Sequence, residues 1–234
     1  MKSKRPGGEL ATRPLHFIWI ADCSGSMSIN GKIQALNTAI REAIPHMQNV
    51  ADENPNAQVL VRALKFSNGA QWHISQPTPI AEFKWTDLTT SGLTDMGKAL
   101  MMIAKQLKIP PMTDRALPPV LVMISDGQPT DDFKDGLAAL MDLPWGKKAV
   151  RIAIAVGEDA DHETLQQFIG HTEIKPLQAN NAEQLVRYIK WVSTAILKST
   201  SSPASQISNA TPSSVNVPIP TPPDDEPTSA ADVW

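Results

Sequence analysis

Three short stretches of the chain are apolar at almost every position: residues 15–21, 120–124 and 150–156. A strand that alternates apolar and polar residues buries one face, whereas one that does not alternate must be covered on both. Between these runs the apolar residues change to helical spacing. Ile33, Leu36, Ile40, Ile44, Met47 and Ala51 form one such series; Met96, Leu100, Ile103 and Leu107 form a second; Leu185, Ile189, Val192 and Ile196 form a third. Buried strands alternating with amphipathic helices predict an α/β fold, a doubly wound and mostly parallel sheet with helices on both faces. The run 59–66 adds a strand. Residues 70–75 follow it across Asn68-Gly69, a hairpin signature that predicts one antiparallel edge strand.

Local signals refine this order. Pro45 lies inside the first helical series and predicts a kink or a restart there. Asp95 is placed to cap the second helix, Asp131 and Asp132 to cap a short helix carrying Phe133, Leu137 and Leu140, and Asp161 to cap a helix running to Ile169. Residues 173–177 read as a final strand, and Asn181 opens the last helix. The domain is expected over residues 13–198, behind a flexible N-terminus (1–12). From residue 199 to 234 the composition turns to Ser, Pro, Thr and Asn with an acidic tip, which reads as a disordered tail. The acids of that tail (Asp224, Asp225, Glu226, Asp232) are within linker reach of the strand ends.

The first apolar run opens into Asp22-Cys-Ser24-Gly-Ser26, one carboxylate and two hydroxyls at alternating positions, with Gly25 expected to let the backbone turn. Mg²⁺ takes oxygen ligands in near-octahedral array and usually only one or two carboxylates. The loop would stand at the carboxyl end of a buried strand, where open α/β sheets bind ligands. Two further segments fit the same chemistry: Ser91-Gly-Leu-Thr94-Asp95 ahead of a helix, and the second run ending in Ser125-Asp126-Gly127.

These three pieces together resemble the von Willebrand factor A domains, whose metal-ion-dependent adhesion site combines D-x-S-x-S with a distant threonine and a distant aspartate. The resemblance implies Asp22, Ser24, Ser26, Thr94 and Asp126 as the metal-site residues, holding Mg²⁺ (Mn²⁺ or Ca²⁺ as alternatives), with Thr89 and Thr90 as nearby competitors for the threonine. It also implies a Rossmann-like fold and a protein partner that offers an Asp or Glu to the metal. Two aspartates would neutralise a divalent ion, so the open position favours an anionic oxygen from outside. Residues 124–132, 143–148, 150–157 and 66–72 further resemble the bacterial tellurite-resistance-associated (TerY-like) group. That likeness implies an adaptor in a stress-response phosphorylation system, beside a protein kinase and a PP2C-type phosphatase. A co-chaperone-like subunit that delivers a target to an AAA+ ATPase is the alternative from another class.

The remaining chemistry argues against an enzyme. A haloacid dehalogenase-like phosphatase needs D-x-D after its first strand, and here Ser24 occupies the second acidic position. Neither Ser24 nor Ser26 has the flanking glycines of a nucleophile elbow. His162-Glu163-Thr-Leu-Gln166 misses the zinc motif at its last residue. A net charge of −3 with scattered Lys and Arg gives no footprint for nucleic acid. The first apolar run is too short to span a membrane, and a single cysteine allows no internal disulfide. The expectation is therefore a cytoplasmic chain with no membrane partner. Cys23 is expected to be a buried, inert thiol, His16 a hydrogen-bonded structural residue, and Trp85 a core anchor or a shaper of the partner surface.

Overall fold

A computed structural model describes residues 12–202, 217–223 and Trp234. The expected flexible N-terminus, residue 12 apart, lies outside these, as do Asp224, Asp225, Glu226 and Asp232. The strands are β1 (Arg13–Asp22), β2 (Ala57–Ser67), β3 (Gly69–Pro79), β4 (Val120–Ser125), β5 (Val150–Val156) and β6 (Leu177–Ala179). They form one sheet in the order β3-β2-β1-β4-β5-β6, parallel except for β3 at one edge. The hairpin β2–β3 turns at Asn68-Gly69 as its sequence predicts, with Gly69 left-handed (φ 86°).

The apolar strands lie at the centre because both of their faces are covered. On β1, Leu15, Phe17, Trp19 and Ala21 enter one core, and Ile18 and Ile20 the other. The first core is closed by α1 (Lys32–Glu53) and α6 (Ala182–Trp191), which runs through a π-helical turn (Val192–Ile196) into α7 (Leu197–Ser201). The second is closed by α2 (Met96–Gln106), α3 (Phe133–Met141), α4 (Pro144–Lys148) and α5 (His162–Ile169). Helices α2 and α3 meet through glycines. A Cβ on Gly97 would lie 2.2 Å from the Asp132 carbonyl oxygen, and one on Gly136 only 2.4 Å from that of Gly97.

Four expectations are corrected. Helix α1 does not restart at Pro45 but continues through it, and Pro45 and Arg41, whose carbonyl loses its helical donor there, are both exposed residues. The last strand is 177–179, not 173–177, because Pro176 has no N–H to give a ladder. Helix α4 was not anticipated, five residues being too few to show a period. Finally, the chain beyond 198 is not wholly a solvated tail. Helix α7 continues to Ser201, and Val217, Ile219 and Trp234 pack on the first core. The Trp191 indole N–H donates to the Thr221 carbonyl (3.1 Å), and the Trp234 N–H to that of Asn180 (2.8 Å). Two apolar residues among prolines suffice for docking, which an average over the segment's composition conceals. No helix among the described residues is long and apolar enough to cross a membrane.

Candidate metal centre

Strands β1 and β4 pair in parallel, with Ala21 opposite Ile124, so Asp22 and Ser125-Asp126 leave the sheet side by side. A third segment, residues 83–95, crosses in front of them without regular structure. Backbone hydrogen bonds lash the loops together: Cys23 N–H to the Phe66 carbonyl (2.8 Å), Ser91 N–H to that of Cys23 (2.7 Å), and Gly25 N–H to that of Gly92 (3.1 Å).

All five sequence-derived residues meet at this point. Asp22 is fully buried. Its Oδ1 accepts from the Ser24 N–H (2.7 Å) and its Oδ2 from the Ser125 hydroxyl (2.5 Å). The Ser24 and Ser26 hydroxyls lie 2.9 Å apart, and Ser26 Oγ donates to Asp126 Oδ1 (2.7 Å). The other Asp126 oxygen accepts from Lys32 Nζ (2.8 Å). Thr94 is buried opposite Gly127; a Cβ there would stand 3.4 Å from Thr94 Oγ1 and 3.9 Å from Ser26 Oγ. Gly127 therefore lies between the Thr94 and Ser26 hydroxyls, at ordinary contact distance from both. Burial pushes the Asp22 carboxyl up to about 6, against its hydrogen bonds from Ser125 and Ser24, and the Asp126 charge adds to the rise. Among the described residues no cation pairs with Asp22, and a buried carboxylate is costly unless a proton or a cation neutralises it.

The supports differ from the sequence reading in informative ways. Asp95 stands at the N-cap position of α2 but does not cap it. Its carboxylate accepts from the Gly69 N–H (2.6 Å), Lys98 Nζ (2.6 Å) and the Thr130 hydroxyl (3.3 Å), tying the hairpin to the site. The Lys98 bond foremost, with those from Gly69 and Thr130, holds Asp95 below the usual carboxylate range. The cap of α2 comes instead from Asp131, which accepts from the Gly97 and Lys98 N–H groups (both 2.8 Å). Asp132 and Asp161 cap α3 and α5 as expected. Gly25 has no left-handed backbone, and a Cβ there would find ordinary contact (3.5 Å), so the turn does not depend on it. The left-handed residues are Asn30 and Gly31, just before α1.

Trp85 is a core anchor. Its indole N–H donates to Asn37 Oδ1 (3.0 Å), which also accepts from Leu88 N–H (2.8 Å), while Asn37 Nδ2 donates to the Leu88 carbonyl (3.0 Å). One buried asparagine of α1 thereby holds the segment that delivers Thr94. Burial, with the Asp22 charge second, pushes the Cys23 thiol up to about 12, so it stays protonated. His16 is buried, but among the described residues its Nδ1 has no hydrogen-bond partner.

Lys32, Ser125, Ile29 and Leu93 were missed. Lys32 changes the charge of the site: two carboxylates and one ammonium leave one net negative charge, so the expected neutrality with a divalent ion does not hold. Its only signal was a lysine opening an amphipathic helix next to the D-x-S-x-S loop. Ile29 and Leu93, 55% and 56% exposed, are large apolar side chains on the two loops that flank the hydroxyls.

The donors are two carboxylates and three hydroxyls, all oxygen, as a hard divalent cation requires. Among the described residues no three His, Cys, Asp or Glu cluster to offer a nitrogen- or sulfur-rich alternative. The von Willebrand factor type A domain model matches residues 18–189, from mid-β1 through most of α6. The chain belongs to that family. No curated protein matches it. Solved structures similar to this von Willebrand A chain include a von Willebrand factor type A protein from Catenulispora acidiphila (14% identity, TM-score 0.61, covering 80% of this chain and 43% of that one). The ArnB paralog VWA2 from Sulfolobus acidocaldarius is similar as well (17%, TM-score 0.56, 76% and 44%). Proximal thread matrix protein 1 from the mussel byssus, solved with a zinc-occupied MIDAS motif, is a third (17%, TM-score 0.58, 81% and 47%). At such identities the likeness is one of fold, and the chain spans less than half the length of each of these neighbours.

Proposed function

We propose that this von Willebrand A domain is a metal-dependent protein-binding adaptor. Asp22, Ser24, Ser26, Thr94 and Asp126 would hold Mg²⁺, with Mn²⁺ or Ca²⁺ as substitutes, and the ion would supply a Lewis-acid position for a carboxylate of the partner. The observation that carries this reading is the convergence of an uncompensated buried Asp22 with three hydroxyls and a second carboxylate, drawn from three loops. The zinc in the mussel protein's motif supports a divalent ion. The exposed Ile29 and Leu93 support a protein as the ligand, since apolar side chains around a polar centre suit a partner surface. The hydroxyl of Ser24 bonds Ser26 where a phosphatase would need its proton-transferring acid, so binding is favoured over catalysis.

The finer reading is a bacterial, cytoplasmic adaptor of the tellurite-resistance-associated group, acting beside a protein kinase and a PP2C-type phosphatase. It rests on the four resembling segments. Two of them have packing reasons of their own: Gly146 in α4, where a Cβ would lie 1.8 Å from the Leu140 carbonyl oxygen, and β5 in the core. The test is a pull-down from native lysate with wild type in Mg²⁺, wild type in EDTA, and Asp22→Ala, read by mass spectrometry. A partner lost in both perturbed samples is expected, and its identity separates kinase, phosphatase and AAA+ ATPase. A partner kept in all three would refute metal-bridged binding.

A further inference from the structure

Lys32 is seated, not draped, at the metal centre. Its side chain and that of Asp126 are 7% and 1% exposed, and Nζ lies 2.8 Å from Oδ2. The slot is completed by Gly157 at the end of β5. That residue is left-handed (φ 83°), and a Cβ on it would stand 2.9 Å from Lys32 Nζ and 3.1 Å from Cε. Strand end, helix start and carboxylate are thus fitted around one ammonium. Asp126 has both oxygens engaged, one by Ser26 and one by this cation, while Asp22 has hydroxyl and amide donors only.

We propose that Lys32 is a resident counter-cation that competes with the divalent ion for Asp126, so that metal and an anionic ligand bind to this centre cooperatively. The inference rests on the metal-site reading given above. With Lys32 in place, a divalent ion brings the centre to one net positive charge, which weakens capture of the ion alone and strengthens capture of a carboxylate beside it. Neutrality is restored only when the acidic ligand arrives. Coupling of this kind is reciprocal: whatever factor a carboxylate adds to metal affinity, metal adds to carboxylate affinity.

Two variants separate competition from a structural role. Lys32→Met removes the charge with most of the stem kept, and Lys32→Gln removes the charge but keeps a hydrogen-bond donor for Asp126. Mn²⁺ affinity is measured by electron paramagnetic resonance on the full chain, in chloride and again in excess acetate as the carboxylate probe. A unit charge a few ångströms from a divalent ion is worth at least about a factor of ten even when screened. Both variants are therefore expected to bind Mn²⁺ about tenfold or more tightly in chloride, and to lose most of the gain that acetate gives wild type. A merely structural lysine would show the opposite, since a disordered site binds metal more weakly. Unchanged or weaker Mn²⁺ binding in Lys32→Gln, with wild type binding normally and Asp22→Ala not, overturns the proposal and leaves the metal site standing. If neither wild type nor either variant binds more Mn²⁺ than Asp22→Ala, the metal site itself fails, and the proposal with it.

Discussion

At the amino ends of the strands, arginines answer carbonyls; at the carboxyl ends, carboxylates and hydroxyls answer one another. Arg13, opening β1, donates to the Arg115 and Ala116 carbonyls (both 2.9 Å). Arg151, near the start of β5, donates to those of Phe168 (2.7 Å) and Gly146 (2.9 Å). Each guanidinium holds two backbone oxygens, those of one loop for Arg13 and of helices α5 and α4 for Arg151. Across the sheet, Asp22 sits among the Ser24, Ser26 and Ser125 hydroxyls, and among the described residues Lys32 is the cation that pairs with Asp126. One end spends its charges on closing loops, while the other keeps acceptors in surplus around a point that three loops share. The difference teaches where a cation belongs: at the end where two carboxylates and their hydroxyls gather around a buried Asp22.

The comparison breaks most sharply at Asp22. Asp22→Ala should weaken Mn²⁺ binding by more than about a hundredfold, since loss of a direct ligand should exceed the 10–100-fold typical of outer partners; titration calorimetry checks it. In EDTA at pH 7, Asp22→Asn should be at least as stable as wild type, because it removes a costly buried charge.

Opposite pH slopes sharpen the contrast. With its carboxyl raised from 3.8 to about 6, Asp22 holds a proton in the fold that the unfolded chain releases. Its contribution is therefore greatest below pH 4 and falls by about 3 kcal/mol as pH rises to 6. His16, on the amino side, is lowered from 6.5 to about 4, by burial first and then by Arg62. The native state here refuses a proton that the unfolded chain takes, so stability rises by about 3 kcal/mol from pH 4 to 6.5. In EDTA the two should nearly cancel. Urea denaturation of Asp22→Asn across this range should expose the His16 slope, and a flat profile in that variant would count against it.

Arg151→Met should cost about 2–3 kcal/mol by leaving two carbonyls without their charged donor, with Mn²⁺ affinity unchanged. Gly136→Ala should cost about 1–3 kcal/mol by forcing α3 from α2, and should loosen metal binding only through Asp131. Smallest is Leu93→Ala, expected within about 0.5 kcal/mol of wild type in thermal melts while weakening capture of the partner.

How much was legible in the chain follows from the range over which each signal acts. The unalternating runs of β1, β4 and β5 announced a sheet covered on both faces, and Asn68-Gly69 announced its antiparallel edge. Those signals are local, and so is D-x-S-x-S. The meeting of Thr94 and Asp126 with Asp22 was legible only through family resemblance, because nothing in spacing alone brings segments so far apart together. What escaped the reading depends on tertiary approach. Asp131 takes the cap that Asp95's position suggests, since α3 packs against α2 closely enough for Asp131 to reach its first N–H groups, while Asp95 turns to the Gly69 N–H. Asn37 lies inside the apolar stripe between Leu36 and Ile40, a polar residue whose purpose shows only once residues 83–90 fold over it. Lys32 likewise became meaningful only when Gly157 and Asp126 closed around it.

The segment 217–223 lines a cavity of about 780 Å³ together with Lys175 and with Leu177 and Gln178 of β6. Strand β6 is the outer rung of the sheet on that side, the kind of rung that recruits strands from other molecules. Its neighbour carries proline at 218, 220, 222 and 223, so along most of its length it has no amide hydrogen to offer. An incoming strand that displaced nothing would meet a backbone unable to extend the ladder. The piece of chain nearest that rim is thus one that cannot itself become a new rim.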